Sequence, residues 1–195
     1  MKIKRTSIGG DIPVFPYDKG SHMALAGFNL DTTGLATGDI VPAGAVLGFD
    51  EQLRKAYLVK GAKVVEALAV DGTAVKVEKG HLFKANEFVV NDAGIAAKIN
   101  SIDTSNALYD VLNTATALGV MAEGAALSSA KAAATEDGEL LYEPKGLNNS
   151  TIKIDVDDAN LVDVRIRTTV YARRIPAVVK AVEKALPNIF FSQSF

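Results

Sequence analysis

The chain has 195 residues, with 21 Lys and Arg against 23 Asp and Glu, a net charge of −2, two His, no Cys and no Trp. That length is enough for one domain with a sizeable core. The absence of Cys excludes disulfides and thiolate metal sites, two His leave few routes to zinc binding or nucleophile–base chemistry, and the near-balanced charge gives no overall drive toward nucleic acid.

Residues 1–30 read as an extended N-terminal arm. Lys2, Lys4 and Arg5 precede the first acid, Asp11, and Pro13 and Pro16 flank Val14 and Phe15. Proline removes a backbone donor and biases its neighbour toward extended geometry, so this piece needs a surface to lie on. Ile8, Ile12, Val14, Phe15 and Tyr17 favour docking over a solvated tail. The start is basic but lacks the apolar run of a signal peptide, which points to synthesis in the cytoplasm, and no segment has the length and apolarity of a membrane span.

Residues 31–195 read as a single β-rich domain. Up to about residue 100, short apolar pieces are cut by turn signals such as Pro42-Ala43-Gly44, Asp71-Gly72, Lys79-Gly80 and Asp92-Ala93-Gly94. Val75 and Val77 alternate with Lys76 and Glu78, the period of a half-buried strand. Val41–Leu47, Val77–Phe83 and Val120–Leu127 share one pattern, strand, Gly corner, strand. From Asn113 to Ala134 the chain is rich in Ala but broken by Gly119 and Gly124, so extended structure is expected to Leu127 and an Ala-rich helix or loop over 128–135.

The C-terminal part alternates more clearly. Ile152, Ile154 and Val156, then Val162, Val164 and Ile166, predict a hairpin over 151–171 with its turn at Asp157–Asn160. Pro176 is suited to open a helix over 176–186, with Val178, Val179, Val182 and Leu186 on one stripe. The tail with Phe190, Phe191 and Phe195 needs burial, inside the molecule or against another subunit. These elements predict a mainly β fold with minor α, a compact β-barrel- or β-sandwich-like domain with an extended N-terminal arm and one C-terminal helix.

The motif search finds no convincing active site. Ser128-Ser129-Ala130-Lys131 contains a Ser-x-x-Lys, but the companion motifs of acyl-transferring serine enzymes are absent. Asp155, Asp157, Asp158, Asn160 and Asp163 form an acidic cluster whose spacing fails the calcium-loop pattern, so local turn hydrogen bonds are the expected role. Arg165, Arg167, Arg173 and Arg174 form a basic stripe, read as a solvated face or as an ion-pairing surface toward Asp155 and Asp163. His81 reads as a lone histidine without a carboxylate. No catalytic, cofactor-binding or metal-binding residue is assigned.

Three stretches carry a family resemblance. Asp39-Ile40-Val41-Pro42-Ala43-Gly44-Ala45-Val46-Leu47-Gly48 resembles the Pro-Ala-Gly strand start of phage head decoration and head-fibre proteins. Ile102–Val111, followed by Leu118-Gly119 and Gly124–Leu127, is similar to the same group, as is the closing Val164–Pro176. Bacteroides phages, including crAss-like ones, carry proteins of this look. The resemblance implies a non-enzymatic structural virion protein on the outer surface of a tailed-phage capsid: a head fibre, an auxiliary capsid protein or a decoration protein. It implies a homo-oligomer, with a trimer favoured, that contacts the major capsid protein, without nucleic acid, membrane or cofactor. The capsid-contact candidates are then Lys2, Lys4, Arg5, Ile12, Val14, Phe15 and Tyr17 of the arm. The alternative class is a β-rich surface- or carbohydrate-binding module, which the lack of Trp disfavours.

Overall fold

The computed structural model describes residues 13–16, 20–25 and 27–193. Among the described residues the fold is mainly β, with one short α-helix near the C-terminus, and neither of its two large sheets closes into a barrel.

The first lobe is an eight-stranded sheet. Its strands are β1 (His22–Met23), β2 (Phe28–Leu30), β4 (Val46–Asp50), β5 (Lys55–Val59), β12 (Gly146–Asn148), β14 (Leu161–Val162), β15 (Val164–Tyr171) and β16 (Ile189–Ser192). A two-stranded sheet of β3 (Ile40–Val41) and β13 (Ile152–Lys153) lies beside it. In the order β1-β15-β12-β4-β5-β2-β14, with β16 parallel to β15, the second strand and the last are adjoining pieces of chain: only Asp163 separates β14 from β15. The sheet therefore curls around a core of Phe28, Val41, Leu47, Leu58, Ile154 and Val164. Residues 22–30, read from sequence as part of the arm, contribute β1 and β2 to this sheet.

The second lobe is a six-stranded sheet inserted between β5 and β12. Its strands are β6 (Gly61–Lys63), β7 (Ala74–Glu78), β8 (Phe88–Val90), β9 (Ala96–Asp103), β10 (Tyr109–Thr114) and β11 (Ala126–Ala130), in the order β6-β11-β8-β9-β10-β7. The bridge Val64–Val77 brings its two ends together, so it too curls. Val64, Val75, Val77, Ile99, Leu112 and Leu127 fill it. The predicted alternation holds in β7, where Val75 and Val77 are buried and Lys76 is not. The three repeated corners are real as well: Gly44, Gly80 and Gly124 all adopt positive φ, +80°, +84° and +84°, which glycine reaches without steric cost.

Three expectations are corrected. Ser128–Ala130 belongs to strand β11, with no helix over 128–135; β11 is buried along its whole length between β6 and β8. Ala and Ser suit it because both faces are covered, and two ladders override a weak helix propensity. No hairpin forms over 151–171: β13 pairs with β3, while β14 pairs with β2. The Asn160 amide explains the detour. It accepts the Asp155 N–H at 2.9 Å and donates to the Asp155 and Asp158 carbonyls at 2.7 and 2.9 Å, closing a loop that redirects the chain. The helix α1 spans only Lys180–Ala185, not 176–186. Residues 175–178 instead run between the lobes. The carbonyl of Ala177 approaches Gly61 so closely that a Cβ there would sit 2.4 Å from it. Asp92, from the other lobe, then accepts the Lys180 N–H at 2.6 Å and starts the helix.

Candidate functional site

The chain passes between lobes at Lys60 and returns through the segment between β11 and β12. The two sheets and the crossing segment 172–178 enclose a half-open cleft of about 780 Å³. Its walls include Lys63, Glu78, His81, Gly124, Arg173 and Ile175.

Two buried polar clusters border the junction. Lys60, whose side chain is almost fully buried, donates to Glu87 at 2.5 Å and to the Gly34 carbonyl at 3.1 Å. Burial pushes its amine below the usual lysine range, and the Glu87 carboxylate opposes that shift. Glu87 also accepts the Lys84 N–H at 3.0 Å, and Lys84 pairs with Asp39 at 3.3 Å. These contacts join a loop of the second lobe to the first.

The second cluster holds His81, Asp110 and Lys79. The His81 side chain is only 5% exposed. Its Nδ1 accepts the Phe83 N–H at 3.2 Å, so the neutral ring carries its proton on Nε2. That Nε2 lies 3.2 Å from Asp110 Oδ2, but off the line a hydrogen bond requires, so the contact is electrostatic. Asp110 Oδ1 accepts from Lys79 Nζ at 2.5 Å. Desolvation drives the His81 pKa down from 6.5, against the pull of Asp110. The sequence reading of a histidine without a carboxylate is thus corrected. The legible signal was Asp110 itself, which shares the inward parity of Leu112 and Thr114 in β10.

The other motifs resolve into structure. Ser128 is buried in β11, whereas Lys131 pairs with Glu139 at the surface. Lys131 lies just past the end of β11 and is exposed while Ser128 is buried, so no Ser–Lys dyad forms. Asp155 and Asp158 accept backbone N–H groups of the local turn. Arg165 and Arg174 do not pair with Asp155 or Asp163. Arg165 lies over the Phe15 ring at 4.4 Å and bonds Asn149 and Ser21, while Arg174 lies over Tyr171 at 4.6 Å and bonds the Pro13 carbonyl. Of the arm candidates, Val14 is buried and Phe15 half-buried against the chain's own first lobe, and Val14 accepts the Tyr171 N–H at 2.9 Å. Lys2, Lys4, Arg5, Ile12 and Tyr17 lie outside the described residues. Among the described residues, no three His, Asp or Glu side chains are grouped to hold a metal ion.

No family model, curated protein or solved structure matches this chain.

Proposed function

We propose that the chain is a non-enzymatic structural protein of the outer surface of a tailed-phage capsid, a head fibre or an auxiliary or decoration subunit, located in the virion and working as a homo-oligomer. The observation that supports this reading is where apolar side chains are left outside. Leu25 is 88% exposed, Leu108 82%, Val120 75% and Phe190 68%, at turns and strand ends far apart in sequence. Such surface is unfavourable by roughly 25 cal/mol per Å² until a partner covers it, which suits a molecule whose work is adhesion at several points. Among the described residues, several surface charges are instead paired within the chain, as in Lys63–Glu78 and Lys76–Glu66.

The arm remains the proposed capsid contact, now narrowed to residues 1–12, because Pro13–Pro16 packs on the first lobe. The deciding measurement is the protein composition of purified virions. The reading expects this chain to co-sediment with heads at a copy number commensurate with capsid symmetry, and its absence from mature particles would overturn it. Deleting residues 1–12 should leave a folded protein that no longer binds heads; undiminished binding would remove the arm from the proposal.

A further inference from the structure

The turn after β7 stands in an unusual place. Leu82 packs against the core of the first lobe, and its neighbour Phe83 is buried in the core of the second. His81 immediately precedes them and lines the cleft between the lobes. Three consecutive side chains thus reach into one core, the other core and the boundary between them.

What shapes this turn is the bond from the Phe83 N–H to His81 Nδ1, a side chain accepting from the backbone two residues on. Nδ1 can accept only while the ring is neutral, since an imidazolium has donors at both nitrogens. A proton added to His81 therefore removes the acceptor and sets two N–H groups against each other. The charged groups facing the ring are Asp110 from β10, Lys79 from the turn itself and Lys60 from the inter-lobe crossing. Asp110 would welcome the imidazolium, but it is already engaged by Lys79 and sits off-line from Nε2. The two lysines repel a second cation.

We propose that Lys79–Phe83 is a proton-sensitive clip, which holds the two lobes together at neutral pH and lets the cleft between them widen when His81 takes up a proton. The depressed basicity of the buried ring accords with this. Above pH 6.5 the clip is closed, and acidification through and below that value opens it. The proposal does not depend on the capsid reading.

Because the chain has no Cys, a pair of spin labels can be placed cleanly, with Glu123→Cys on the second lobe and Lys153→Cys on the first, both exposed. The labelled protein should give one narrow distance population at pH 7.5, and at pH 5 lose it to longer and broader distances while its circular dichroism stays native. His81→Asn is the control, since its side-chain oxygen can still accept the Phe83 N–H but cannot be protonated. It should keep the narrow population at pH 5. An acid response as large in His81→Asn as in the parent, or an unchanged parent distance down to pH 4.5, would overturn the clip. So would global unfolding of the parent before any widening. Should His81→Asn fail to fold, the parent's His81 imidazole resonance decides: a titration midpoint coincident with the distance change supports the clip, and a separate one overturns it.

Discussion

The two lobes reach similar curled sheets by different routes. All six strands of the second come from one unbroken stretch, 61–130. The first is assembled from both sides of that insertion, and its ladders join distant partners: Leu47 with Gly146, His22 with Arg167, and Phe28 with Val162. Loop closure must precede the reward of such pairing, so the second lobe should form earlier and the first should close around it.

Core truncations test that contrast most strongly. Leu47→Ala and Leu112→Ala each empty a fully buried site and should each cost about 2–5 kcal/mol in denaturant unfolding. Hydrogen exchange should then separate them: Leu47→Ala speeds exchange in the first lobe while β9 and β10 stay protected, and Leu112→Ala exposes the second lobe. Equal loss of protection in both lobes from either variant would make the molecule one cooperative unit. Next comes the inter-lobe ion pair. Glu87→Ala leaves the buried Lys60 ammonium with only the Gly34 carbonyl, and we expect a loss of about 3 kcal/mol, the low end for a broken buried pair because Glu87 is partly exposed.

Gly44→Ala attacks the crossing segment. A Cβ there would sit 2.1 Å from Ile175 Cγ2, at a φ of +80°. Strain and crowding together should cost about 2 kcal/mol and shift the thermal midpoint accordingly. Asp92→Ala removes the side chain that starts α1 and should cost about 1 kcal/mol, read by the same melt. The gentlest perturbation is acid. Since folding holds His81 below its unfolded pKa of 6.5, the folded state binds fewer protons. Its contribution is complete above pH 6.5 and declines as pH falls through that value. His81→Asn should flatten that part of the stability–pH curve.

How much of this was legible from residues follows the same division. Strands with one wet face announce themselves, as β7 and β15 did, and so did the corners at Gly44, Gly80 and Gly124. Strand β11 did not, because a strand buried on both faces needs small residues and loses its alternation, and Ala-rich chain then reads as helix. The crossing segment was hidden for another reason. Pro176 is compatible with a helix start, and only the approach of Gly61 and the distant cap from Asp92 delay the helix to Lys180. The polar clusters were half visible. Asp110 occupies an inward position and Lys60 follows the apolar run of β5, but their partners lie 26 or more residues away.

One residue gathers the extremities of the described chain. Tyr171 donates its N–H to Val14 and pairs in register with Ser192, so the two ends lie within about two strand spacings, roughly 10 Å. A peptide linker of a few residues would therefore bridge Pro13 and Gln193, and circular permutants of residues 13–193 with new termini at the exposed turn around Leu53 are geometrically open. Cargo joined directly at Pro13 or at Gln193 would therefore leave the fold from neighbouring points, on either side of Tyr171.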